Sequence, residues 1–353
     1  MKRLLLFLLL SGLTLTAGFG QAISPYLAGQ NAWLPTALGK QVFNGQLDRL
    51  WPVVKQSKVQ MIRIGGNGVN SNLVTNAQYI ALIDSIRRIG AEPMVQVSEG
   101  RGRFTAAQAA QHVNITMGRN VKYWIIGNEP DLNNASQPNP VNVAGVEAYI
   151  KSFASAMKAV DPTILTVGPE NASYGGGYMP ALVGGANYIT GTDANGRYYI
   201  DVISFHTYPS DGSQTRAAVV TGATNLTTNV VNLLGLMANA NALHNRTGAS
   251  ALRWALTEFN VDYANPAANT RWSEEYQEAL YVNQLKMLGT IQGLRGMTPW
   301  ILADFRATRR QHPVYRNGFN RKGLISSTGV KKKAFFVLQE YYRRQAAKYD
   351  GKQ

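Results

Sequence analysis

Short apolar runs rich in β-branched and aromatic residues alternate along this chain with stretches in which apolar positions recur every three to four residues. The short runs read as strands: YLAGQN (26–31), QMIRIGG (60–66), EPMVQVS (92–98), YWIIGNE (123–129), ILTVGPE (164–170), DVISFHTY (201–208), WALTEF (254–259) and MTPWILADF (297–305). The intervening stretches read as amphipathic helices. In one, Tyr79, Leu82, Ile83, Ile86 and Ile89 share a face and Gly90 supplies the stop. In another, Ile150, Phe153, Met157 and Val160 do so ahead of Asp161 and Pro162, and a last helix over about 331–344 carries Phe335, Leu338 and Tyr342.

Strands that are apolar throughout, rather than alternating, belong to a parallel sheet covered on both faces. Eight such strands, each followed by a helix, predict an α/β fold, a closed (β/α)8 barrel, with any active site at the carboxyl ends of the strands. An open doubly wound sheet is the alternative. It is disfavoured because GGNGVN (65–70) lacks the spacing of a dinucleotide-binding turn. No linker-like run and no repeat of fixed period interrupts the pattern, so residues 23–353 are expected to form a single domain.

The first 22 residues stand outside this pattern. A basic start (Lys2, Arg3), the apolar run LLLFLLL and a small-residue stretch ending at Ala22 predict a cleaved signal peptide and a secreted or periplasmic protein. The apolar run is far short of the roughly 20 residues needed to span a bilayer, so no membrane anchor is expected. The chain has no cysteine, which removes a catalytic thiol, a lipid-modified cysteine and a disulfide framework. Lys and Arg number 35 against 20 Asp and Glu, a formal charge of +15 that falls to +13 without Lys2 and Arg3. That field favours anionic partners, an acidic polysaccharide among them. Zinc-finger spacing, an RNP-like string and basic heptads are all missing, so nucleic acid is not expected as a partner.

Polar residues collect at the strand ends, where a barrel would place its site. In order they are Gln30 and Asn31; Arg63 and Asn67; Gln96 and Glu99; Asn128 and Glu129; Glu170 and Asn171; His206 and Tyr208; Glu258 and Asn260; and Trp300, Asp304 and Arg306. Glu129 and Glu258 are the leading candidates, because carboxylates at strand ends suit acid, base or nucleophile work. The four histidines show no metal-ligand spacing and no nucleophile elbow is present, so neither metal nor organic cofactor is expected.

At these positions the chain resembles the clan A glycoside hydrolases, retaining enzymes built on (β/α)8 barrels. Asn-Glu-Pro (128–130) is similar to that clan's acid/base motif, and Glu258 to its nucleophile; IRIGG, FHTYP and Trp300 also match clan usage. The end of the chain, WILADFR (300–306), NGFNRKGLIS (317–326) and KKKAFFVLQEYY (331–342), resembles the catalytic barrel of the β-galactosidase and β-glucuronidase family. The β-sandwich domains that precede the barrel in that family are not expected here.

The resemblance implies a retaining β-glycosidase acting on a poly- or oligosaccharide, with Glu129 as acid/base and Glu258 as nucleophile. Arg63 and Tyr208 are expected to hydrogen-bond Glu258 and keep it ionised, and Glu129 is expected to have a raised pKa. Asn128 would hold the sugar 2-hydroxyl, Trp300 would stack on the ring, and His206 would line the substrate site. Asn320 and Lys322 match a pair that contacts the sugar carboxylate in β-glucuronidases. Glu99, Arg101, Arg103, Glu170, Asn171, Asp304 and Arg306 are further subsite candidates. A transglycosylase using the same pair, a non-catalytic carbohydrate-binding barrel and an anion-binding surface protein are the other readings.

Overall fold

The computed structural model describes residues 29–33, 43–71, 75–99, 104–133, 139–175, 177–208, 217, 225–260, 277–278, 282, 294–297, 305–306, 319–320, 322–326 and 328–350. Residues 1–22, Arg101, Arg103, Trp300 and Asp304 lie outside the described residues.

Eight parallel strands form one sheet in chain order: β1 Gly29–Trp33, β2 Met61–Gly65, β3 Glu92–Val97, β4 Tyr123–Ile126, β5 Leu165–Asn171, β6 Val202–Thr207, β7 Arg253–Phe259 and β8 Leu294–Met297. The last strand comes beside the first, which curls the sheet into a (β/α)8 barrel. Helices Phe43–Gln56, Asn76–Arg88, Ala106–Thr116, Val143–Val160, Asn225–Leu243 and Lys333–Asp350 provide outer-layer segments. A two-residue ladder pairs β9 (Phe305–Arg306) with β10 (Phe319–Asn320), antiparallel.

The unbroken apolar runs are explained by burial on both faces. Inward-facing Met61, Met94, Tyr123, Ile125, Val167, Val202 and Ala255 form one apolar cluster that fills the lower barrel. Their sequence neighbours Ile62, Val95, Trp124, Ile126, Ile203, Trp254 and Leu256 point outward into the larger core under the helices. Each such side chain contributes about 1.5–3 kcal/mol by leaving water. The helices begin where the sequence allows. Asn142 caps Val143–Val160 by accepting from Gly145 N at 2.8 Å, and Ile150, Phe153 and Met157 are its buried face. Helix Ala106–Thr116 opens on a reciprocal Thr105–Gln108 capping box.

The eighth strand is displaced from the expected MTPWILADF. It occupies LRGM and shares only Met297 with that run. Residues 298–304 of that run lie outside the described residues.

Three register shifts interrupt the sheet, two of them near its carboxyl end. Pro169 pairs Ser204 and Asn171 pairs Phe205, leaving Glu170 as an extra residue on β5. On β7, Leu256 pairs Phe205 while Glu258 pairs His206, which leaves Thr257 over and brings His206 level with Glu258. The third shift, on β8, lies between Leu294 and Gly296. Bulges of this kind are common at barrel rims and re-aim side chains toward a site.

Candidate active site

Above the apolar plug the barrel interior turns polar, and its centre is Arg63. This guanidinium is fully buried and donates from Nη1 to Glu258 Oε1 at 2.8 Å and from Nη2 to Glu170 Oε2 at 2.6 Å and Asn128 Oδ1 at 2.6 Å. Burial alone would pull its pKa down, but Glu170 and then Glu258 outweigh that and raise it. Its fork reaches three partners on three strand ends, which a lysine ammonium does not match.

The approach of Arg63 depends on Gly65. A Cβ there would sit 2.6 Å from Gln96 Oε1 and 2.9 Å from Arg63 Cζ. Gly66 follows at φ 106°, a left-handed geometry suited to glycine, and its N–H donates to Gln96 Oε1 at 2.6 Å. The turn then enters the short helix Asn67–Ser71, where two asparagines face the site. Asn67 Nδ2 donates to Glu129 Oε2 at 2.7 Å, and its Oδ1 accepts from Asn128 Nδ2 at 2.9 Å. Asn70 Nδ2 donates to the Asn128 carbonyl at 3.0 Å, while its Oδ1 accepts from Gln96 Nε2 at 3.0 Å.

Glu129 lies three residues beyond β4 with φ 47°, and Glu170 sits in its bulge with φ 61°. Left-handed backbone costs a non-glycine residue about 1–2 kcal/mol, and such strain concentrates at functional sites. The two are tied together: Glu129 N–H donates to the Glu170 carbonyl at 2.8 Å.

Glu258, on β7, accepts from Arg63 at Oε1 and from the Tyr208 hydroxyl at Oε2, the latter at 2.8 Å. His206 fills the space between the carboxylates. Its Nδ1 is 3.1 Å from Glu129 Oε1 and 3.7 Å from Glu258 Oε2, and its Nε2 is 3.3 Å from Glu170 Oε2. Beside ionised carboxylates, which only accept, both ring nitrogens act as donors and the ring is held as an imidazolium. Burial would strip that proton, yet the charge of Glu258 and the bonds to Glu129 and Glu170 prevail and lift the pKa to about 10.

The expected raised pKa of Glu129 is not found. Burial does push it up, but the His206 hydrogen bond and charge, with Asn67 and Arg63, carry it below the ordinary value. Glu170 behaves similarly: burial is opposed by Arg63 and His206, and its pKa falls to about 2.

One carboxylate oxygen of Glu129, one of Glu258 and a His206 ring nitrogen all lie within 4.8 Å of one another. Those donor types also suit a metal ion. The doubly protonated ring and the neighbouring guanidinium instead make a set that shares protons.

The remaining expected residues divide as follows. Asn128, His206 and Tyr208 converge on the carboxylates, although both amide atoms of Asn128 are engaged by Arg63 and Asn67. Lys322 is buried with Nζ 4.7 Å from the centre of the Tyr208 ring, and its carbonyl accepts from Asn260 Nδ2 at 2.9 Å. Asn320, two residues before Lys322, pairs with Phe305; only its backbone is among the described residues. Glu99 and Asn171 are buried, and Arg306 pairs with Phe319. Asn70 was missed, because GNGVNS reads as a glycine-rich loop rather than as a helix. Glu170 was seen only as a subsite candidate, though its place after Gly-Pro at a strand end mirrors the other two glutamates.

A cavity of about 430 Å³ opens beside His206, lined by Ser173, Tyr174, Thr207, Tyr208, Thr228 and Asn229 among others. Its aromatic and hydroxyl lining suits a polar, ring-shaped ligand. Among the described residues no helix is long and apolar enough to cross a membrane.

No protein-family model matches the sequence, and no curated protein matches it. Solved structures do. A family 51 α-L-arabinofuranosidase from Bifidobacterium longum is 14% identical, with a TM-score of 0.68 over 91% of this chain and 73% of that one. The α-L-arabinofuranosidase from Thermotoga maritima is 18% identical at TM-score 0.63, over 91% of this chain and 71% of that one. A GH2 β-galacturonidase from Eisenbergiella tayi, bound to galacturonate, is 18% identical at TM-score 0.57. It aligns with 90% of this chain, which spans only 51% of that longer protein. The chain has the α/β-barrel fold of these glycoside hydrolases.

Proposed function

We propose that the protein is a retaining β-glycosidase that cleaves a poly- or oligosaccharide by double displacement. The observation that carries this reading is the pair of carboxylate oxygens, from Glu129 and Glu258, within 4.8 Å of each other at the carboxyl ends of β4 and β7. Retaining enzymes hold their carboxyl groups about 5–5.5 Å apart, whereas inverting enzymes leave about 6.5–9.5 Å for a water. Glu258, oriented by Arg63 and Tyr208, attacks the anomeric carbon. Glu129 gives its proton to the departing oxygen and later takes one from the water that releases the sugar from Glu258.

The substrate class that fits best is a glycan containing uronic acid. Lys322 supports this, since its ammonium lies against the Tyr208 ring and Tyr208 in turn touches Glu258. The net charge of +15 acts in the same direction. The N-terminal sequence supports action outside the cytoplasm.

The test uses Glu129→Gly, because glycine fits the left-handed backbone at that position. With an aryl β-uronide whose leaving group needs no acid, this variant should accumulate a glycosyl-enzyme, and azide should convert it to the β-glycosyl azide. NMR of the product decides the matter: an α-azide would exclude double displacement. Turnover of neutral aryl glycosides with none of the uronides would overturn the acidic-sugar reading alone.

A further inference from the structure

Glu170 occupies a position that the two-carboxylate scheme does not use. It is completely buried, bulged out of register on β5, and strained in the left-handed region. A structural ion pair to Arg63 requires none of that. Its contacts reach both reacting carboxylates at one remove: Arg63 links it to Glu258, His206 links it to Glu129, and its carbonyl accepts from the Glu129 N–H. Its other oxygen, Oε1, has no hydrogen-bond partner among the described residues.

Resting on the retaining reading above, we propose that Glu170 is a positioning residue for a proton store. It holds the His206 Nε2–H toward its own Oε2, which leaves the Nδ1–H aimed at Glu129 Oε1, so that the acid proton rests on His206 until the leaving oxygen calls for it. The Nδ1–H bond breaks and the Oε1–H bond forms. The imidazolium becomes a neutral ring that keeps its Nε2–H, and the Glu129 carboxylate becomes the acid that protonates the glycosidic oxygen. In the second half of the cycle Glu129 accepts the proton of the attacking water and returns it to Nδ1. Charge and protons balance within the pair.

This arrangement answers the difficulty that Glu129 is itself ionised at rest. An acid with a lowered pKa makes a poor resting donor, but a coupled pair titrates as a unit. The groups that set the pair's affinity for its proton are Glu170 on β5, Glu258 on β7, Asp131 beyond β4 and Arg63 on β2, with Tyr208 and Lys322 at the rim. Glu170 is the one among the carboxylates that holds the far side of the ring. The role parallels that of the aspartate in a serine-protease triad, which fixes a histidine tautomer without taking the proton itself.

The experiment is Glu170→Gln, isosteric and uncharged, beside Glu170→Asp, which keeps the charge. Protein labelled with ¹⁵N-histidine is titrated by NMR, with His206→Gln supplying the assignment among the four histidines. In the wild type the His206 ring should remain doubly protonated well above neutral pH. In Glu170→Gln its titration should move down by about one unit or more. The basic limb of kcat/KM should move down with it, since that limb reports the free enzyme. Glu170→Asp should keep both close to the wild type. An unchanged His206 titration in a folded Glu170→Gln overturns the proposal, as does a shifted titration with an unmoved pH limb. The NMR arm needs no turnover, so a protein that cleaves no glycoside would sink the retaining reading while His206 still reports on Glu170.

Discussion

Glu258→Gln should lower kcat by about 10⁴-fold or more while leaving the fold intact. The substitution keeps size and shape, so Arg63 and Tyr208 still have a neighbour of the same outline. What it removes is the nucleophilic carboxylate, which Arg63 Nη1 orients at Oε1 and the Tyr208 hydroxyl at Oε2. Without the covalent intermediate, cleavage has to wait for water in a site that leaves little room for it between the carboxylates. Circular dichroism and urea unfolding establish that the variant is folded, and initial rates on activated aryl β-glycosides give the loss. Retention of more than about a tenth of wild-type kcat on every substrate would remove Glu258 from the nucleophile's role.

Arg63→Met should have the largest effect on stability, about 3–5 kcal/mol. The guanidinium neutralises two buried carboxylates, Glu170 and Glu258, at 2.6 and 2.8 Å, and none of the three is appreciably exposed. Methionine fills the volume but leaves those charges facing one another in a medium of low polarity. The chain can then fold by binding a proton there, so the deficit should shrink as the pH falls. Urea unfolding at pH 7 and pH 5 measures both statements. A loss below about 1 kcal/mol at pH 7 would mean that water or another cation already shields the pair. Activity should vanish as well, because Glu258 and Asn128 lose a shared partner.

Most of the architecture was legible from the chain, and the reason is period. Seven of the eight strands overlap the expected runs by three residues or more, because a parallel strand buried on both faces is apolar at every position and is bounded by polar residues. Met61, Arg63 and Gly65 facing inward and Ile62 and Ile64 facing outward cannot be told apart by such a run, so the sequence did not show which side chains meet. The described part of the eighth strand, Leu294–Met297, meets the expected MTPWILADF only at Met297, because LRGM carries a charge and a glycine and so does not stand out as an apolar run. The convergence of Arg63, Asn128, His206, Tyr208 and Glu258 followed from placing strand ends together. The level pairing of His206 with Glu258 did not follow, because it depends on the bulge at Thr257. A one-residue insertion in one strand leaves no mark in hydrophobicity. The same limit hid the importance of Glu170, whose displacement from the ladder is visible only once Pro169 and Asn171 are seen to pair with consecutive residues.

The imidazolium between three carboxylates also bears on the pH range over which the barrel holds together. Glu170 titrates near 2 in the folded chain against an ordinary 4.5, so its contribution is complete above 4.5 and is lost as the pH falls toward 2. His206 titrates near 10 against an ordinary 6.5, so its contribution is complete below 6.5 and is lost as the pH climbs toward 10. Both are whole only between 4.5 and 6.5, where thermal melting should peak, and a melting point still rising from pH 7 to pH 9 would contradict it. The cluster thus ties the conditions that suit the fold to a mildly acidic medium.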